Sequence, residues 1–173
     1  MRVGVINVMS SLKVVAILGH KKSGKTRLAV MLIDSLKKMG YKVASAKHVH
    51  HAEFSVDMPG KDSWLHGQAG ACPNIIISPN ELAVIWKGKT ANTILDLIKF
   101  VNDADFLVLE GFYSLVKRYK EAVKVILVKN EEEIKEFNNE GIIVTFKNIN
   151  CQGVIKLPEQ FPQLLKKIIQ EAT

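Results

Sequence analysis

The apolar positions of this chain follow two alternating rhythms. Short runs rich in β-branched residues give way to longer stretches with helical spacing. Lys13–Leu18, carrying Val14-Val15-Ala16-Ile17-Leu18, reads as a first strand. Thr26–Met39 follows as a helix with Leu28, Leu32, Ile33, Leu36 and Met39 on one stripe, and Gly40 is a fitting stop just past it. Val43–Lys47 is the second strand, and the polar stretch His48–Lys61, with Pro59-Gly60, is a loop. Asp62 is placed to cap a short helix through Ala69. Ile75–Ser78 and Leu82–Trp86, joined by Pro79-Asn80-Glu81, predict a β-hairpin within residues 74–86.

Thr90 or Asn92 starts a helix reaching Val101. Phe106–Glu110 and Val123–Val128 are buried strands, Glu131–Phe137 is a short helix, and Ile142–Thr145 is another strand. Leu164–Ile169 forms the core of a last helix behind Pro162. Strands spaced by helices predict an α/β fold with a mostly parallel sheet covered on both faces. A ligand then belongs at the carboxyl ends of the strands.

The 173 residues suit a single domain, residues 1–173, with residues 1–11 as an extra leading segment. That segment lacks the long apolar core of a signal peptide. No stretch approaches the roughly 20 apolar residues of a membrane span. Cys72 and Cys151 have no metal-ligand spacing, so a reduced cytoplasm is the simplest setting. The net charge of +7 raises the question of nucleic acid, but the lysines are dispersed and do not interleave with aromatics. A basic surface also favours anionic nucleotides or an acidic partner. Trp64 and Trp86 read as packing anchors rather than base-stacking platforms.

The first strand runs into Gly19-His20-Lys21-Lys22-Ser23-Gly24-Lys25-Thr26, which fits G-x-x-x-x-G-K-[ST], the phosphate-binding P-loop. Strand before and helix after are the context the motif requires. Glycines let the backbone approach a polyphosphate, main-chain N–H groups point at it, and the helix N-terminus adds positive partial charge. Lys25 would reach the terminal phosphates, the Thr26 hydroxyl would hold Mg²⁺, and Arg27 extends the same segment.

Phe106-Leu107-Val108-Leu109-Glu110-Gly111 has the form of a Walker B strand, whose terminal acid emerges beside the P-loop to order Mg²⁺ or a water. Glu110 is therefore a candidate metal and catalytic residue. Against this stands a solvent-facing Glu in a turn. Lys47-His48-Val49-His50-His51 invites a metal reading, since imidazole suits Zn²⁺ or Ni²⁺. The i, i+2, i+3 spacing defines no coordination set, however. The alternative is a loop facing the phosphates, with Lys47, His48 and Lys61 neutralising charge and Asp57 or Asp62 organising Mg²⁺ and its water. Helix capping explains Asp62 equally well, and His20 and His66 read also as exposed polar side chains. Lys129-Asn130 follows a strand where some GTPases read guanine, but the order is wrong and no Asp follows at the required spacing.

Taken together, Gly19–Thr26 with Leu28, Lys47–His51, Asp57–Ser63, Ala69-Gly70-Ala71 and Leu109-Glu110-Gly111-Phe112 resemble the molybdopterin-guanine dinucleotide biosynthesis protein B family over roughly residues 12–130. The KHxHH stretch followed by DxPGKDS is the more specific part. The resemblance implies a P-loop NTPase-like fold, GTP binding with Mg²⁺, weak GTP hydrolysis and a homodimer. It also implies an adapter role beside the guanylyltransferase that joins GMP to molybdopterin, or beside molybdoenzyme maturation proteins. Arg27 stands where a second Thr is frequent, Ser114-Leu115-Val116 departs from the usual basic continuation, and residues 131–173 match nothing specific. Three rivals remain: a P-loop small-molecule kinase with Asp57 as base, a nickel-delivering GTPase using His48, His50 and His51, and a pure scaffold whose nucleotide only stabilises the dimer.

Overall fold

The computed structural model describes residues 12–101, 103–137 and 140–172. The leading segment expected over residues 1–11 lies outside them. Two compact units emerge: one runs up to His48 and resumes at Thr93, and the other is Val49–Asn92.

The first unit is built on six strands: β1 (Lys13–Gly19), β2 (Val43–Lys47), β5 (Phe106–Glu110), β6 (Val123–Leu127), β7 (Ile142–Thr145) and β8 (Ile155–Lys156). β3 (Asn74–Ile77) and β4 (Leu82–Ile85) belong to the second unit. The six strands form one sheet in the order β2-β5-β1-β6-β7-β8, and every pairing is parallel. Helix α1 (Lys25–Lys38) carries the chain from β1 across to the edge strand β2. From β5 the chain crosses to the other side of β1, to β6. The strand order therefore reverses around β1, where open α/β sheets bind their ligands.

Continuous apolar strands are needed because both faces of such a sheet are buried. Successive side chains point to opposite faces. Val15, Ile17, Val108, Val125, Leu127 and Val144 join the core packed with Leu28, Leu32 and Leu36 of α1. Leu164 and Ile168 of α6 (Phe161–Glu171) fill the same layer. Val14, Ala16, Leu18, Leu107, Leu109 and Ile126 face the opposite core. That layer includes Ile94 of α3 (Ile94–Ile98), Val116 of α4 (Tyr113–Val116) and Phe137 just past α5 (Glu131–Glu136).

Several local expectations shift. The helix expected from Thr90 or Asn92 begins only at Ile94, because Thr93 closes a reciprocal capping box with Asp96. Pro162 sits inside the first turn of α6 rather than ahead of it, a position where a missing N–H costs nothing. The short elements α4 and β8 were not expected; neither is long enough to show a period.

In the second unit, α2 (Asp62–Gln68) has Lys61, not Asp62, at its capping position, and no side chain caps it. Asp62 is the first helical residue, where its charge complements the helix dipole. The predicted hairpin is present: β3 pairs antiparallel with β4, Ile77 opposite Leu82 and Ile75 opposite Val84.

Candidate phosphate-binding site

The carboxyl end of β1 passes directly into the glycine-rich loop. Gly19 has φ 131°, and a Cβ there would lie 2.3 Å from the Leu127 carbonyl oxygen of β6. Gly24 has φ 101°, and its Cβ would press to 2.8 Å against the Phe146 ring. Both glycines are thus demanded by conformation and by space. Gly24 occupies the N-cap position of α1, so α1 opens without a side-chain cap. Its cap offers the first N–H groups no side-chain acceptor, and uncapped N–H groups at a helix start suit an anion.

Lys25 folds back over this loop. Its Nζ donates to the carbonyls of Gly19 (2.9 Å) and His20 (2.7 Å). Burial pushes its pKa below the ordinary lysine value, and Lys129 and Lys47 nearby add to that, while Glu110 and Glu133 oppose it. Its hydrogen bonds here are to neutral carbonyls, so the ammonium carries positive charge into the loop.

Thr26 Oγ1 donates to Glu110 Oε1 at 2.6 Å. Lys47 Nζ completes the group, 3.1 Å from Glu110 Oε1 and 3.3 Å from Thr26 Oγ1. Sheet register explains the meeting. Glu110 is the last residue of β5 and pairs with Ile17 of β1 on one side and Lys47 of β2 on the other. The main chain seals the corner: His48 N donates to Glu110 O, and Gly111 N to Ile17 O. Consecutive left-handed residues, Gly111 (φ 90°) and Phe112 (φ 62°), then turn the chain sharply away. The Phe112 ring lies 5.2 Å from that of His48, the residue just past β2.

The remaining candidates separate. His20 leans outward, its Nε2 2.9 Å from Glu136 Oε2 of α5 and its ring 5.4 Å from Phe137. Lys21 and Lys22 are exposed on the loop, Lys22 with φ 63°. The Arg27 guanidinium stacks 4.4 Å over the Phe146 ring, so its charge is held by an aromatic face. Asp57, Lys61 and Asp62 belong to the Val49–Asn92 unit. There the Asp57 carboxylate accepts from Ser63 Oγ (2.8 Å) and from the Met58 N–H (2.9 Å), a turn-forming arrangement. Among the described residues no group of three or more His, Cys, Asp or Glu side chains is arranged to hold a metal ion, so His48, His50 and His51 do not converge as a ligand set.

Sequence reading missed Glu133. It is buried, accepts from the Lys129 N–H (2.8 Å) and holds Lys129 Nζ at 3.2 Å. Asn130, three residues before it, caps α5 through the Glu133 N–H at 2.9 Å. That Asn-x-x-Glu spacing was the available signal. The Phe146 contact had none, since nothing local ties residue 146 to the loop.

The residues fit a polyphosphate with a hard cation. The Ser23 hydroxyl is buried without a hydrogen-bond partner inside the loop, a polar atom waiting for one. Thr26 and Glu110 offer a hydroxyl and a carboxylate, an all-oxygen set that suits Mg²⁺ rather than a soft metal.

The fold and this loop define a P-loop NTPase-like α/β protein. More narrowly, the chain belongs to the molybdopterin guanine dinucleotide synthesis protein B family, whose sequence model matches residues 14–146. A molybdopterin-guanine dinucleotide biosynthesis adapter protein of Haemophilus influenzae is 31% identical over 134 residues, covering 76% of this chain and 71% of that protein. A putative adapter of the same pathway from Methanocaldococcus jannaschii is 26% identical over 147 residues. That match takes in 84% of this chain but 60% of the relative's length. The crystal structure of Bacillus subtilis MobB superposes with a TM-score of 0.67 at 20% identity, covering 93% of this chain and 98% of that one, which supports the fold.

Proposed function

We propose that this chain is a GTP-binding adapter of molybdopterin guanine dinucleotide formation. The carrying observation is the convergence of Lys25, Thr26, Glu110 and Lys47 where the sheet order reverses. The main-chain N–H groups of Gly19–Gly24 and the Lys25 ammonium bind and orient the phosphates. Thr26 and Glu110 would hold Mg²⁺, whose chemistry is to neutralise phosphate charge and stabilise the leaving oxygen. Hydrolysis is slow in this reading, because Arg27, the arginine beside the loop, lies over the Phe146 ring. The names of the relatives support the pathway and the adapter role. The reading adds, as its own part, a guanylyltransferase or a molybdoenzyme maturation protein as partner, a homodimer as the working form and the cytoplasm as its place. Asp57, Asp62 and Lys61, all in the Val49–Asn92 unit, keep the candidate roles the sequence gives them.

Calorimetric titration of nucleotide-free protein with GTP, and separately with ATP, in Mg²⁺ tests the reading. Clear preference for GTP supports it. Preference for ATP moves the weight to a small-molecule kinase and overturns the GTP-binding part of the reading.

A further inference from the structure

Lys47 does more in this structure than add positive charge to a phosphate site. Its ammonium bridges two particular oxygens, Thr26 Oγ1 and Glu110 Oε1, which themselves share a 2.6 Å hydrogen bond. These are the oxygens that the proposed function gives to the divalent cation, and the present inference rests on that reading. The Lys47 main chain cannot drift. It ends β2 in register with Glu110, and the next residue's N–H is bonded to Glu110 O. Only its four-carbon stem is free to move, and that side chain is 55% exposed, with room to swing.

Glu110 supplies the physical need. Its side chain is only 13% exposed, and a carboxylate so placed requires a compensating positive charge. We propose that Lys47 is a resident counter-cation: it sits on the Thr26–Glu110 oxygens until a divalent cation takes them over, and its ammonium then transfers to the polyphosphate that arrives with the metal. A unit charge and a double charge cannot both sit on that oxygen pair without strong repulsion. A phosphate gives the displaced ammonium a new partner. Divalent cation and polyphosphate therefore bind in concert, each weakly alone, and Lys47 carries the coupling between them.

The test uses the full chain, nucleotide-free, with Mn²⁺ as the probe and free Mn²⁺ read by electron paramagnetic resonance. Lys47→Met is expected to bind Mn²⁺ at least about tenfold more tightly than the wild type. Glu110→Gln introduced into Lys47→Met is expected to abolish that gain. GTP should tighten Mn²⁺ binding by a much larger factor in the wild type than in Lys47→Met. Lys47→Gln, polar and neutral, serves where circular dichroism shows that the Met variant has not folded. Equal Mn²⁺ affinity in wild type and a folded neutral variant overturns the inference. Failure of the wild type to bind GTP with Mg²⁺ would instead sink the nucleotide reading, and leaves the nucleotide-free Mn²⁺ comparison standing as its own result.

Discussion

The two units of this chain hold their residues in opposite ways. In the first, every side chain of the Lys25–Thr26–Glu110–Lys47 group springs from the end of a strand or the first turn of a helix. Those elements are clamped by parallel pairing on a sheet buried on both faces. In the Val49–Asn92 unit Asn74 is the one buried residue, and its amide donates to the Ser63 carbonyl. The rest is a seven-residue helix, a two-stranded hairpin and turns held by local hydrogen bonds. Positional precision at a phosphate site is bought with core, and only the first unit has one. An isolated hairpin is marginal in water, so the second unit's order rests on turn chemistry more than on burial.

The largest expected effect lies in the first unit. Leu32 is fully buried beneath the sheet, so Leu32→Ala should cost about 3 kcal/mol through lost transfer energy and a residual cavity. Urea unfolding checks this. A cost under about 1 kcal/mol would mean that α1 packs loosely, and the contrast between the units would collapse.

Next comes Lys25→Ala. On the proposed function its ammonium meets phosphate, so its removal should weaken GTP binding about a hundredfold, about 2.7 kcal/mol, with the melting temperature nearly unchanged. A variant that binds GTP as the wild type does would separate the loop from nucleotide altogether.

How much of this was legible along the chain depended on distance. The P-loop was readable because its whole function is local: a strand, two glycines, a lysine and a hydroxyl in eight consecutive residues. Glu110 was readable as an acid closing an apolar run. Its companionship with Lys47 was not, because it depends on β5 lying between β2 and β1, and no residue in β2 announces which strand it will pair with. Arg27 looked like an extension of the phosphate loop, yet Phe146, far away in sequence, claims its guanidinium. The capping assignment at Asp62 failed by one residue. Asp is favourable at both the cap and the first helical position, and composition alone does not separate them.

A smaller effect should appear in pH dependence. The Lys25 pKa is lowered on folding, chiefly by burial. The unfolded chain therefore keeps that proton to higher pH than the native protein does. Lys25 then penalises folding below its native pKa, and the penalty is relieved as pH rises toward the ordinary lysine value of 10.5. Tyr113 and Tyr119, whose pKa values are raised, contribute the opposite slope near their own titration. Subtracting the Lys25→Met profile from that of the wild type isolates the lysine. The difference should show wild-type stability gaining on the variant as pH rises toward 10.5. A flat difference would mean that Lys25 is as solvated folded as unfolded.

The smallest effect is expected at the hairpin. Ile75, Ile77 and Leu82 share one face of β3–β4 and are 57%, 73% and 67% exposed. Ile77→Ser removes a cross-strand pair with Leu82, a contact of a few tenths of a kcal/mol, from a side chain that buries little. The change in stability should stay within about 0.5 kcal/mol, measured by thermal melts at two protein concentrations tenfold apart. A loss above about 1.5 kcal/mol, with a wild-type melting temperature that rises with concentration, would show that a second copy covers this apolar face in solution. The Val49–Asn92 unit would then owe its core to association, and the contrast between the units would become one between a core made within the chain and a core made between chains.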